Sequence, residues 1–425
     1  MTKKRNMKEK GMLLLMVLIF SLPTQLTPYP IDGYTLTGIR RLVRLQMIEN
    51  DEIKDKKLIN GALKTLDDIH LNLLNSKGDS LRELPDPDPD LQKKLNGLFG
   101  GLSQSYSLTL LDITPGRKIR YAHRKEENGF QPGSVGKLAV VTGLFCQLES
   151  IYPDSFHLRQ ELLKNKSVKA GQWALPNEHT VPFFNPETKG FFKRTLQAPD
   201  IFSLYEWTDH MLSVSSNGAA SVVWREAILM YHFGADYPTL TEEQATEFFK
   251  STPKATLSEI ANEVVNEPLR ALGITEDEWR LGTLFTRGGK AMIPGKGGSI
   301  GTPLGLMKYL VAVESGRVID QESSLEIKRL MYMTDRRIRY AASTTLSDAA
   351  VYFKSGSLYK CKPEPDYQCA KYKGNVENYM NSVAIIEHQD STTYLVALMS
   401  NVLKKNSNID HNTLAGQIDR LIKVK

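Results

Sequence analysis

The chain has 425 residues, 41% of them hydrophobic and 24% charged, an ordinary globular composition with enough length for one large domain or two modest ones. The net charge of +6 is local: within residues 1–28, Lys3, Lys4, Arg5, Lys8 and Lys10 stand against a single acid, Glu9, and hold four of the six charges. No basic arm or Lys/Arg stripe follows, so nucleic acid is not an expected partner.

The basic start leads into the apolar run Met12 to Phe20 and then Ser21-Leu22-Pro23. The run is short for a membrane span and suits a signal-peptide core. No small-x-small cleavage site follows it. Residues 1–28 therefore read as a signal peptide or as an uncleaved anchor through residues 11–22, and no later segment reads as a span. Either way the chain is expected to be exported, periplasmic or secreted. Cys361 and Cys369 flank a short Pro-containing loop. In an oxidising compartment they pair and close it; the other reading is two free thiols. Cys146 lies in an apolar helical run and reads as buried filler.

Residues 31–80 carry helical patterns. Ile39, Leu42 and Val43 start one, and Leu58, Ile59, Leu63, Leu66 and Ile69 suit a second. The alternating run Pro85 to Asp90 predicts an extended spacer. It divides a helical N-terminal extension, residues 31–90, from a main domain over residues 95–425. After Gly100-Gly101 the period becomes two. Ser107 to Ile113, the turn Thr114-Pro115-Gly116-Arg117 and Lys118 to Tyr121 predict a β-hairpin. A long helical middle follows. Strand patterns return at Ala350 to Phe353, Ser382 to Glu387 and Thr393 to Met399, and a helix over Asp410 to Ile422 closes the chain. Strands from both ends of the domain can join one antiparallel sheet flanked by helices, with the helical middle as a second lobe. The expected class is α+β with a cleft between the lobes.

Gln131-Pro132-Gly133-Ser134-Val135-Gly136-Lys137 precedes a run, Leu138 to Leu148, that is apolar almost all round and predicts a buried helix. Ser134 falls at its start, where backbone N–H groups and positive potential gather. Lys137 at i+3 shares its side of the helix. A serine hydroxyl becomes a nucleophile when a base takes its proton, and a lysine serves when neutral, a form favoured by burial and by a second cation. Ser251/Lys254 and Ser357/Lys360 repeat the spacing without a buried helix behind them. A phosphate-binding loop needs Gly at 131 and Ser or Thr at 138; Gln131 and Leu138 stand there instead.

Ser215-Ser216-Asn217 lies at a junction between two apolar helical stretches. The pattern fits a helix N-cap and also polar groups aimed into a gap. Lys354-Ser355-Gly356 ends a strand pattern, and its glycine suggests close approach of a ligand or another backbone. His and Cys residues lack metal-ligand spacing, and Gly295-Lys296-Gly297-Gly298 breaks the dinucleotide fingerprint, so no metal or cofactor is expected.

Taken in order, Ser134-x-x-Lys137, Ser215-x-Asn217 and Lys354-Ser355-Gly356 resemble the motif set of class A β-lactamases and low-molecular-mass penicillin-binding proteins. The hairpin before Ser134, the late strands and closing helix, and Met292-Ile293-Pro294 followed by Gly301-Thr302-Pro303 extend the likeness; residues 31–90 lie outside it. The resemblance implies a β-lactamase/transpeptidase-like fold and a serine hydrolase that forms an acyl-enzyme on Ser134 with a β-lactam or cell-wall-peptide-like amide carrying a carboxylate. It implies Lys137 as proton acceptor or relay, and Ser215 as donor to the leaving nitrogen. Asn217 would orient Lys137 and the substrate amide, and Lys354 and Ser355 would hold the substrate carboxylate. The N–H groups of Ser134 and Ser357 would form the oxyanion hole. One position departs. The Glu that activates water in class A β-lactamases falls on Thr286, and no acid lies within Leu284 to Gly289. The middle motif also has Ser216 where the lactamases have Asp. A D-alanyl-D-alanine carboxypeptidase-type enzyme and a non-hydrolysing penicillin or cell-wall binding module are the alternatives. Residues 151–199 and 233–266 look longer than the family minimum and are expected to reshape the cleft.

Overall fold

The computed structural model describes residues 31–335 and 337–424; the expected signal peptide or anchor over residues 1–28 lies outside them. Strands β1 (Ser107–Asp112) and β2 (Arg120–Arg124) form the expected hairpin. Asp112 closes its turn, accepting from Thr114 N at 3.0 Å and Thr114 Oγ1 at 2.6 Å and pairing with Arg120 at 2.7 Å. The late strands are β3 (Ala350–Lys360), β4 (Glu377–Glu387) and β5 (Thr393–Asn401). All five make one antiparallel sheet in the order β2-β1-β5-β4-β3.

Alternation along the strands loads both faces. Leu111, Val383, Ile385, Leu395 and Ala397 enter one core with the helical lobe. Leu108, Leu110, Ala384, Ile386, Val396 and Leu398 enter a second with Leu414, Ile418 and Ile422 of the C-terminal helix Asn408–Lys423. The first core is centred on helix α1 (Lys137–Ile151), buried at every residue from Lys137 to Phe145. The segment Gly133–Ile151 is long and apolar enough to cross a membrane, a property the sequence reading had not assigned to it, but its side chains are spent on this core. Around it pack α2 (Leu204–Leu212), α3 (Asn217–Phe233) and α4 (Lys254–Ala271).

The extension departs from its predicted form. Arg40–Glu49 is a helix, but Leu58 to Ile69 is not one: it holds the 3₁₀ turns Asn60–Ala62 and Leu66–Asp68. Its backbone is taken by the main domain. Gly61 N donates to Ser347 O at 2.9 Å and Lys64 N to Tyr332 Oη at 2.9 Å, and these bonds override the apolar period. Arg41 pairs with Asp209 of α2 at 2.6 Å, and Lys64 with Glu387 of β4 at 2.6 Å. Ile39, Leu42, Ile69 and Leu73 enter the same core as α1. In the Pro-Asp run, Asp88 caps and Pro89 opens the helix Pro89–Gly97, as a fixed φ suits a first turn.

The helical middle also contains strands that the helical reading passed over. Ser167–Lys169 pairs with Ile201–Ser203, and Thr180–Phe184 forms a hairpin with Phe191–Thr195. Cys361 and Cys369 are joined in a disulfide across the turn between β3 and β4. Cys146 is half-buried, and burial pushes its thiol pKa up.

Candidate active site

Gly133 has φ +54° and turns the chain into the 3₁₀ turn Gly133–Gly136, which runs directly into α1. Ser134 sits on that turn and Lys137 begins the helix. Lys137 is fully buried, with Nζ 2.9 Å from Ser134 Oγ, 2.7 Å from Ser215 O and 2.8 Å from Asn217 Oδ1. A carbonyl and an amide oxygen only accept, so both take N–H groups of the amine. The serine hydroxyl lies at 2.9 Å from the same nitrogen.

Ser215 lies between α2 and α3 with φ +62°, the left-handed region that a serine enters at a cost. Ser216 caps α3, accepting from Ala219 N at 3.2 Å, so the residue that stands where lactamases have Asp serves the helix. Its two neighbours face the lysine. The Ser215 hydroxyl is 3.4 Å from Lys137 Nζ and 2.8 Å from the Nζ of Lys354, on β3. Within one tripeptide, Ser216 caps the helix while Ser215 and Asn217 contact Lys137.

β3 passes the Gly133–Gly136 turn at backbone distance. A Cβ on Gly356 would stand 2.1 Å from Pro132 O and 3.1 Å from Ser134 N; one on Gly133 would stand 2.8 Å from Ser357 N. Two glycines therefore let the amides of Ser134 and Ser357 come together. Asn381 of β4 fixes the approach from behind, donating to Gln131 O at 2.8 Å and Pro132 O at 3.1 Å. Arg339, buried and at φ +55°, donates to Gly356 O at 2.6 Å.

Ser134, Asn217 and Ser357 open onto a cleft of about 460 Å³, with Lys137, Ser215, Lys354, Ser355 and Gly356 buried behind them. The other Ser-x-x-Lys pairs are not gathered in this way. Ser251 is exposed and donates to Glu247 O at 2.7 Å within its own helix, and Lys360 is an exposed residue at the end of β3. Thr286 is buried and its hydroxyl is spent, donating to Trp173 O at 2.6 Å and accepting from Gly289 N at 3.0 Å. The ring of Phe285 instead approaches the lysine, its centre 5.1 Å from Lys137 Nζ. Glu178 and His179, just before the strand Thr180–Phe184, reach the cleft lining. Among the described residues no group of His, Cys, Asp or Glu is placed to hold a metal.

Arg339, Asn381, Phe285, Glu178, Lys371 and Tyr372 were missed as site residues. None belongs to a short motif, and each reaches the cleft or its backing through the fold. The length of the segment before Pro199 was the one available signal, and Glu178 and His179 lie in it.

No family model matches the chain, and no curated protein does. Solved structures do. The extended-spectrum β-lactamase TLA-3 superposes with a TM-score of 0.53 at 12% identity, covering 79% of this chain and 99% of that one. A β-lactamase from Chitinophaga pinensis gives 0.51 at 14%, covering 78% and 97%. A class A β-lactamase from Bacteroides cellulosilyticus gives 0.50 at 14%, covering 78% and 96%. The fold is β-lactamase-like: an antiparallel sheet flanked by helices with a helical lobe.

Proposed function

We propose that this protein is an exported serine hydrolase that forms an acyl-enzyme on Ser134 with a β-lactam or a cell-wall-peptide-like amide carrying a carboxylate. One observation carries the reading: Lys137 Nζ lies 2.9 Å from Ser134 Oγ and also 2.7 and 2.8 Å from two acceptor-only oxygens, Ser215 O and Asn217 Oδ1. Uncharged Lys137 takes the hydroxyl proton as Oγ attacks the carbonyl carbon. The N–H groups of Ser134 and Ser357 stabilise the oxyanion, a contribution of about 10²–10³ in rate for each such donor. Collapse breaks the C–N bond; Ser215 hands its proton to the leaving nitrogen and takes back from Lys137 the proton first removed from Ser134, so the amine is uncharged again. Lys354 and Ser355 hold the substrate carboxylate, and Asn217 orients Lys137 and the substrate amide. The Cys361–Cys369 disulfide supports an oxidising, extracytoplasmic setting.

The fate of the ester is set by what stands beside Lys137. Phe285 brings an aromatic ring there, and a ring takes no proton from water. This favours a long-lived acyl-enzyme over rapid β-lactam turnover, and it supports the second reading, a penicillin or cell-wall binding module that reacts once and releases slowly. Competition separates the substrate classes. A fluorescent penicillin labels the protein, and an acyl-D-alanyl-D-alanine peptide is added in excess. Slower labelling together with released D-alanine marks a carboxypeptidase-type enzyme. Slower labelling without release marks a binding module. A penicillin that neither labels the protein nor is ring-opened by it overturns the proposal.

A further inference from the structure

Residues 361–376, between β3 and β4, do more than connect two strands. The Cys361–Cys369 disulfide staples the loop, with its Cα atoms 6.0 Å apart. Asn375 ties its base, accepting from Lys362 N and donating to Lys362 O, both at 2.8 Å. Beyond the staple, Lys373 N donates to Ala370 O at 3.0 Å in a tight turn that sends Lys371 and Tyr372 to the lining of the cleft that holds Ser134.

That turn is also joined to the reaction site. Tyr372 lies with its ring centre 5.4 Å from the Arg339 guanidinium, the group that donates to Gly356 O, and 5.8 Å from the ring of Tyr359 in an edge-on contact. Aromatic and cation–π contacts of this kind hold a loop without filling its cleft face. The cleft's polar lining adds exposed Lys290 to exposed Lys371, and Glu178 is the single acid on that described lining.

Direction along β3 gives these groups a role. A substrate with its carboxylate at Lys354 and its reacting carbonyl at Ser357 runs on toward Tyr359. At a strand rise of about 3.3 Å per residue, Tyr359 lies about 7 Å beyond Ser357. We infer that Lys371, set by the disulfide-stapled loop and flanked by Tyr359 and Tyr372, is a specificity site for a second carboxylate on the acyl side of the substrate. The inference rests on the acyl-enzyme reading above and names the substrate class of the same site: a diacid amide.

The test compares second-order acylation rates of the full chain with two penicillins. One carries only the ring carboxylate; the other carries a further carboxylate in its side chain. The diacid is expected to react faster, by about three- to fivefold for an ion pair at a cleft mouth, with the advantage shrinking as salt is raised. Lys371→Ala is expected to bring the ratio of the two rates to near one, and Lys371→Arg to keep it above one. Cys361→Ser with Cys369→Ser is expected to lower the ratio as Lys371→Ala does, because the lysine loses its placement. Equal rates in the unaltered protein, or a ratio that survives Lys371→Ala, overturn the inference and leave the acyl-enzyme reading standing. Absence of both adduct and ring-opened product with either penicillin overturns both.

Discussion

The hydroxyl of Ser215 accepts a hydrogen bond from Lys354 at 2.8 Å, and this contact sets one of the two lysines against the other across a single oxygen. Ser215 holds that place at φ +62°, so its backbone is strained. Ser215→Gly is expected to relieve the strain and raise stability by about 1 kcal/mol, while lowering the penicillin acylation rate by about 10²-fold through loss of the proton path. Thermal denaturation and labelling kinetics on one sample check both halves. A fully active glycine variant contradicts the role given to the hydroxyl.

Gly356 is expected to tolerate no side chain. A Cβ there would stand 2.1 Å from Pro132 O, so Gly356→Ala has to push β3 away from the nucleophile turn and separate the amides of Ser134 and Ser357. Labelling is expected to fall by at least about 10²-fold, as for loss of one oxyanion donor, together with a lower melting temperature. Gly101→Ala, with nothing within 4 Å of its added Cβ, is the control and is expected to change neither.

Phe285→Glu places a carboxylate where the ring now approaches Lys137. The expected outcome is a shorter-lived adduct, measured as loss of bound label with time after free penicillin is removed. Thr286→Glu is expected to fold poorly instead, because it destroys the buried cap that Thr286 supplies to Gly289 N.

The sheet and the buried helix behind Ser134 were legible because each rests on local chemistry. The alternation of β1, the apolar run behind Ser134 and the glycine at 356 each announce their structure within a few residues. The surroundings of Lys137 were not. Counting along the chain points to Thr286, but the side chain that meets Lys137 belongs to Phe285, since the hydroxyl of Thr286 is drawn off by Trp173 O. The stretch from Leu58 to Ile69 had a helical period, yet its amides are claimed by Ser347 and Tyr332, far away in sequence. Arg339 carried no signal, because its use depends on β3 and the stapled loop arriving on either side of it.

Stability is expected to fall on mild acidification through His411. Its ring is buried between Ser382 Oγ at 3.0 Å and Ser400 Oγ at 3.1 Å. Burial first, and the charge of Arg339 second, push its pKa down from 6.5 to about 3. Between those values the unfolded chain binds a proton that the folded protein refuses, so stability present above pH 6.5 is lost as pH drops towards 3. Melting temperatures at pH 7.5 and pH 5 are expected to differ, and His411→Gln is expected to narrow the difference while lowering stability at pH 7.5.

The most direct measurement is the intact mass of the full chain after incubation with benzylpenicillin, followed by peptide mapping. The account predicts a gain equal to one whole penicillin, since ring opening expels no fragment, carried by the peptide that contains Ser134 and absent from Ser134→Ala. An adduct that persists in Ser134→Ala, or a chain that gains no mass at any penicillin concentration and releases no ring-opened product, contradicts it.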